Sequence, residues 1–172
     1  MDIYLAVAAM LAMSSDVQQR PDFSGTWTIE AGRGSAAGGG AGGGRGAGNS
    51  MGGGLGMGPS PTELRITQDA TTLTINQRGG RVSKVVYRLD GAEAKGQMPA
   101  PGNSTRPATF RSTWTGDHLV TSIVTRGEQG GSLAMEEVRF LDKDGFLVVE
   151  VSIPGQANAR RTVYRKKSVP QG

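Results

Sequence analysis

The chain has 172 residues, enough for one domain with a sizeable core, and 28 of them are glycine, about twice ordinary usage. It contains no cysteine, which excludes disulfides, thiolate metal sites, a cysteine nucleophile and a lipidated N-terminal cysteine. The formal charge of +4 is modest and the cations are spread along the chain, so we expect a solvated surface and no nucleic-acid binding.

The first 21 residues indicate a leader segment. The apolar run from Ile3 to Met13 is too short to span a bilayer, and small residues follow it. This pattern is typical of a secretory signal peptide, although no basic residue precedes the run, as expected of an atypical signal or a start further upstream. A short N-terminal helix is the alternative. We expect removal of residues 1–21, a periplasmic or secreted protein, and no stable membrane insertion afterwards.

The first predicted strand, 23–30, follows this leader. Phe23, Trp27 and Ile29 alternate with polar residues, the period of two that is typical of a strand with one buried face. The next segment, 32–58, contains 15 glycines in 27 residues. It lacks the apolar side chains that would offset the entropy of ordering it. We therefore predict a disordered insertion in the first inter-strand loop, and not a linker between domains.

Short alternating segments separated by turn residues continue from residue 63 onward. With the first strand they make nine, the others being 63–68, 71–77, 83–90, 108–115, 118–126, 132–141, 146–153 and 160–167. Residues 91–107, rich in proline and glycine, are predicted as a loop. Because the connections are short and no amphipathic helix intervenes, consecutive strands should pair in an antiparallel meander. We predict an all-β fold over 22–168, an up-and-down barrel of 8–9 strands, with a two-sheet sandwich as the alternative.

The first and last strands resemble those of a known family. The segment from Phe23 to Trp27 is similar to the Gly-x-Trp first-strand signature of lipocalins and their calycin relatives. Three internal blocks and the last strand look like parts of small exported bacterial lipocalin-like proteins: 64–68, 87–91, 112–120 and 163–166. The resemblance extends over 23–167, except for the glycine tract.

The resemblance implies a barrel with Trp27 across its closed end. By matching position, Arg165 would place its guanidinium against the indole, where a cation–π contact would form. Arg161, on the same strand face, is the rival for that role. Both Trp27 and Arg165 are thus expected to be structural, not ligand contacts.

No set of residues indicates a catalytic or metal site. His118 is the single histidine, and we interpret it as a solvated residue at a turn. Glu136 and Glu137 are neighbours on a predicted strand, so their side chains must point to opposite faces. Asp142 and Asp144 mark a turn, since no later glutamate completes a calcium loop. We therefore expect no enzymatic activity, no cofactor and no metal.

Two functional interpretations follow. In the first, the barrel binds a small hydrophobic molecule in its interior, and an enclosed apolar cavity would favour this interpretation. In the second, side chains fill the barrel, which serves as a structural or protein-interaction module of the cell envelope. We expect a monomer in either case. The candidate lining residues for the first interpretation are Leu73, Tyr87, Phe110, Trp114, Ile123, Phe140 and Val149.

Overall fold

The fold is seen in a computed structural model that describes residues 20–31, 33, 60–79, 82, 84–100, 104–126, 130–155 and 159–168. Residues 1–19 of the leader and all of the glycine tract but Arg33 lie outside these ranges. The strands are β1 Gly25–Ile29, β2 Glu63–Gln68, β3 Thr72–Arg78, β4 Lys84–Arg88, β5 Glu93–Pro99, β6 Thr105–Thr115, β7 His118–Arg126, β8 Ser132–Leu141, β9 Leu147–Ser152 and β10 Arg160–Lys166. No helix in the described ranges is long and apolar enough to cross a membrane.

The ten strands form one antiparallel sheet in the order β4-β3-β2-β1-β10-β9-β8-β7-β6-β5. The first strand pairs with the last, with Thr28 opposite Arg165, and this pairing curls the sheet round on itself. β4 and β5 stand at the two ends of the sheet and lie beside each other, although no hydrogen-bonded ladder joins them in the described residues. The predicted meander barrel is thereby confirmed in a nearly closed form, and the sandwich alternative is wrong.

One strand more is present than the sequence predicts, because β5 occupies part of the predicted loop 91–107. Glycine and proline disfavour strands, which explains the wrong prediction. A strand at the end of a sheet needs only one partner, however, and β5 pairs with β6 from Glu93 opposite Arg111 to Pro99 opposite Thr105. Gly96 also leaves room for a core ring, because a Cβ there would lie 3.0 Å from Phe110 Cε2.

Alternation divides each strand into an inward and an outward row, and the inward rows supply the core. Phe23 extends this core ahead of β1, and its ring stacks on Trp114 with centroids 5.7 Å apart. The bulky apolar residues that are at most 1% exposed are Phe23, Trp27, Leu73, Ile75, Leu119, Met135, Leu147 and Val148, of which Val148 alone belongs to an outward row.

Carboxylates order the tight turns that lie at one end of the barrel. Asp142 Oδ1 accepts hydrogen bonds from the backbone N–H groups of Asp144 and Phe146, which confirms the predicted turn between β8 and β9. Asp69 caps the turn after β2, and Asp90 the turn after β4, in the same manner. By the meander topology, the remaining connections, including the one that contains the glycine tract, lie at the opposite end.

Trp27 is buried as expected, but its cationic neighbour is not the predicted one. Its Nε1 donates a hydrogen bond to the Phe23 carbonyl at 2.8 Å, and Lys166 Nζ lies 5.4 Å from the ring centroid. Arg165 is one position away in register, so its side chain leaves on the outward face and pairs with Glu30 at 3.3 Å. The placement of Arg165 against the indole is therefore wrong by one residue.

Both the backbone conformation and the close packing at position 25 require the glycine of the Gly-x-Trp signature. Gly25 has a φ of +134°, which side-chain-bearing residues rarely adopt. A Cβ there would also lie 2.7 Å from Lys166 Cε, in the path of the side chain that covers Trp27. Gly25 thus allows the backbone conformation at the start of β1 and leaves room for Lys166, which makes the cation–π contact with Trp27.

Candidate functional site

Charged residues occupy two inward positions of β8 that alternation would assign to the core. Met135 and Leu141 belong to the same inward row as Glu137 and Arg139. Arg139 is 3% exposed and Glu137 is 9% exposed. Together with the buried residues Tyr87 on β4 and Tyr164 on β10, they form what we call the interior polar cluster (Tyr87, Glu137, Arg139 and Tyr164).

Arg139 connects β8 to β4 through the barrel interior. Its Nη2 donates a hydrogen bond to Tyr87 Oη at 3.0 Å, and its guanidinium carbon lies 4.5 Å from the centroid of the tyrosine ring. Its Nη1 lies 2.5 Å from Glu137 Oε1. A single buried charge would be costly, so the opposite charges of Arg139 and Glu137 make each other tolerable in the interior.

The interior environment keeps both tyrosines neutral and the arginine charged. Burial is the main cause that raises the pKa of Tyr164 to about 12. Burial also raises the pKa of Tyr87, and Glu137 adds to this effect while Arg139 opposes it. Burial acts to lower the pKa of Arg139, but Glu137 and Tyr87 outweigh it and leave that pKa above its ordinary value. The cluster therefore holds a charged guanidinium beside two neutral hydroxyls.

One donor of the cluster, Arg139 Nε, is buried and has no hydrogen-bond partner among the described residues. Arg139 Nη1 and Glu137 Oε1 make no well-aligned hydrogen bond, but they are each other's partners in the ion pair at 2.5 Å. Buried polar atoms in folded proteins nearly always have a partner, and Arg139 Nε is the exception in this cluster.

Polar contacts continue from the cluster along the inward row of β10. Ser60, just ahead of β2, accepts a hydrogen bond from Arg160 Nη2 at 2.6 Å and lies 3.0 Å from Thr162 Oγ1. A hydrogen bond with Ser60 also acts on Tyr164. Because Arg160 begins β10, this polar row leads from the cluster toward the barrel end opposite the turns capped by Asp69, Asp90 and Asp142.

Six of the seven predicted lining residues belong to inward rows. Leu73, Tyr87, Phe110 and Ile123 are buried in the core. Trp114 and Val149 are partly buried and pack against it. Tyr87 and Phe110 contact each other edge to face, with ring centroids 5.5 Å apart.

Phe140 is the exception, and its prediction as a lining residue is wrong. It lies on the outward row of β8, where its ring stacks on His118 with centroids 4.5 Å apart. The Arg161 guanidinium lies 6.0 Å from the same ring. Since neighbouring residues of a strand face opposite sides, the inward position of Arg139 forces Phe140 outward.

The other predicted polar residues show no convergent chemistry. His118 begins β7 with its side chain 42% exposed, and its Nδ1 lies 2.6 Å from Asp117 Oδ1. Glu136 is exposed while Glu137 is buried, which confirms that the two carboxylates face opposite sides. No three residues among the histidines and carboxylates of the described ranges are grouped as a metal site would require.

Two concavities lie on the outside of the barrel. The larger, about 720 Å³, lies beside β5, β6 and β7, and exposed residues such as Lys95, Val124 and Arg126 line it. The smaller, about 440 Å³, lies near the β8–β9 turn between Arg161 and Asp144. Neither borders the interior polar cluster.

The comparisons with known proteins add no functional assignment. The chain matches no protein-family model, and it has no significant match among curated proteins. The interior polar cluster is therefore the strongest indication of function. Sequence reasoning included Tyr87 but missed Glu137, Arg139 and Tyr164. Met135, Glu137, Arg139 and Leu141 are every second residue of β8 and so share one face. This spacing was the signal that could have identified Glu137 and Arg139 as inward residues.

Proposed function

We propose that this protein is a non-enzymatic, exported lipocalin-like β-barrel that binds a small and mainly hydrophobic molecule in its interior as a monomer. The observation that carries the proposal is the interior polar cluster, in which Glu137 and Arg139 occupy inward positions of β8 that alternation would assign to apolar residues. Apolar side chains of similar volume often stabilise a protein as well as a buried ion pair or better. Stability alone thus gives little reason to place Glu137 and Arg139 inside the barrel, whereas recognition of a polar ligand group does.

The shape of the interior supports the same proposal. About eight strands enclose a space that side chains can fill, and ten strands enclose a wider one. Half of the inward residues of β5, β6 and β7 are small: Ala94, Gly96, Ala108, Ser112, Thr121 and Thr125. We place the apolar part of the ligand in the interior, beside these small residues and the buried side chains of Leu73, Phe110 and Ile123.

The filled barrel is the second candidate, and one observation favours it. Arg139 contacts Tyr87 across the interior, and the Tyr87 ring in turn contacts Phe110. Such direct contacts between opposite walls are what a structural or protein-interaction module would need. In that case the interior polar cluster would only fix how the walls pack.

A paired-charge replacement distinguishes the two candidates. The double variant Glu137→Leu/Arg139→Met removes the interior charges without leaving either one unpaired. Its matched control is Glu150→Leu/Arg161→Met, which removes an outward ion pair whose atoms lie 3.0 Å apart on adjacent strands. Binding of an environment-sensitive fluorescent fatty-chain probe is measured for both variants and for the unmodified protein.

The proposal predicts saturable binding by the unmodified protein and by the control. The interior variant should lose about tenfold or more in affinity, because a buried polar group of the probe would lose its partners. The filled barrel predicts instead that no form binds the probe. It also predicts that the interior variant is at least as stable as the unmodified protein. Its free energy of unfolding, measured with denaturant, should be unchanged or higher by up to about 1–4 kcal/mol.

A further inference from the structure

We infer that the larger outward concavity is a docking site for an extended acidic peptide segment of a protein partner. We call it the β5–β7 cleft, and residues 95–97, 107–109, 124–126 and 130–132 line it. Its volume of about 720 Å³ lies within the range of about 300–1,000 Å³ that is typical of ligand sites. The inference goes beyond the proposed interior binding, because the cleft lies on the outside of the barrel.

The charge of the cleft is of one sign in the described residues. Lys95 on β5 and Arg126 on β7 line it, and no carboxylate of the described ranges does. Both side chains are exposed, and neither cationic group has an ion-pair partner in the part of the chain that the structure describes. By contrast, the outward cations Arg161 and Arg165 on β10 pair with carboxylates at 3.0 Å and 3.3 Å. The cleft therefore presents two positive charges that an acidic partner can neutralise.

An exposed apolar side chain accompanies the two cations. Val124 is 43% exposed, more than any other large apolar residue of the described ranges. Pairing through Thr109 places it in the same outward row as Lys95, and it lies two residues from Arg126 on β7. Single exposed valines are common on protein surfaces, but this one lies inside a concavity and beside unpaired cations. A partner that fits the cleft must combine carboxylates with an apolar side chain.

Strand geometry gives the spacing that such a partner needs. Lys95 and Arg126 are separated by two strand spacings, about 10 Å, and by two residues along the strands, about 7 Å. Their backbones are thus about 12 Å apart, which an extended peptide spans in about four residues. Residues i, i+2 and i+4 of an extended peptide share one face. The cleft therefore fits the pattern acidic-x-apolar-x-acidic, with the apolar side chain against Val124.

Other anionic partners fit the cleft less well. Proteins that bind single-stranded nucleic acids stack the bases on aromatic side chains, and no aromatic residue of the described ranges lines the cleft. The surface of an anionic bilayer is flat and does not follow a concavity. An extended peptide, in contrast, brings charged and apolar side chains into a narrow space together.

The first test varies the peptide and keeps the protein unmodified. The probe is the segment Glu-Ser-Leu-Ser-Glu, flanked by glycine and serine and labelled with a neutral dye, and its binding is followed by fluorescence anisotropy. We expect saturable binding that weakens about fivefold or more when glutamine replaces both glutamates, since two exposed ion pairs are lost. Replacing the leucine by serine should weaken binding about threefold or more, because less apolar surface is buried.

The second test varies the protein and keeps the acidic peptide. Lys95→Gln/Arg126→Gln should weaken binding about fivefold or more, and Val124→Ser about threefold or more. The matched control Arg65→Gln/Arg165→Gln removes the same charge from β2 and β10, which lie across the barrel from β6. It should bind the peptide as the unmodified protein does.

Several results would overturn the inference. These are no binding of the acidic peptide, equal binding of its glutamine form, or an equal loss in Lys95→Gln/Arg126→Gln and in the control. Tighter binding of a short oligothymidylate that the same double substitution abolishes would assign the cleft to nucleic acid instead. The fluorescent fatty-chain probe reports on the interior and should not be displaced by the peptide, so the failure of one site leaves the other standing.

Discussion

Single residues decide how β1 and β10 close the barrel. The alternation of β10 places Lys166 over Trp27 and sends Arg165 outward, so a register difference of one residue changes which cation covers the indole. The sequence identifies Trp27 as a core anchor because it lies in an apolar row. It leaves the cation undetermined, because three basic residues in succession, Arg165 to Lys167, all follow the strand core.

The Gly25→Ala variant tests the closure at this residue. We expect a loss of about 1–3 kcal/mol in the free energy of unfolding, because alanine rarely adopts the backbone conformation of Gly25. The crowding of Lys166 Cε adds to the loss. Denaturant unfolding provides the measurement.

Gly131→Ala is the matched control for Gly25→Ala, since nothing lies within 4 Å of its added Cβ and its φ is not in the left-handed region. It should change stability little. Equal effects of the two substitutions would contradict the role assigned to Gly25.

The two buried tyrosines give the protein a defined response to high pH. The pKa of Tyr164 is raised from 10.0 to about 12 in the folded protein, and that of Tyr87 is raised as well. The folded state therefore retains protons that the unfolded chain releases. This contribution to stability is complete below pH 10 and is lost as the pH rises toward about 12.

Phenolate absorbance measures this response directly. We expect neither Tyr87 nor Tyr164 to contribute phenolate absorbance near pH 10 while the protein is folded. Tyr87→Phe and Tyr164→Phe should each remove absorbance only from the later step that accompanies unfolding. A step near pH 10 that either substitution reduces would show that the tyrosine is accessible to solvent.

At the scale of elements, local alternation was sufficient for nine of the ten strands. β5 was missed because its glycine and its proline are tolerated only through its place at the end of the sheet, which is a property of the whole topology. β8 was found, but the burial of Glu137 and Arg139 was not predicted. The two residues are tolerated inside because their charges compensate each other, and a strand pattern alone does not reveal such a pair.

At the scale of the whole molecule, the meander brings residues far apart in sequence to one interior. Tyr87 on β4 and Arg139 on β8 are 52 positions apart, and they meet only because the sheet curls and its first and last strands pair. The composition gives no sign of this meeting. The proposed ligand site is thus a product of closure, and the outward concavities play no part in it.

The most direct measurement is an NMR titration that follows the Arg139 Nε–H resonance as the fluorescent fatty-chain probe is added. This N–H is a buried donor without a protein partner among the described residues, so a bound head group must change its chemical shift. We predict a saturable shift of this resonance together with the methyl groups of Leu73 and Ile123. An unchanged Nε–H resonance, with shifts confined to outward residues such as Val86 and Val124, would contradict interior binding.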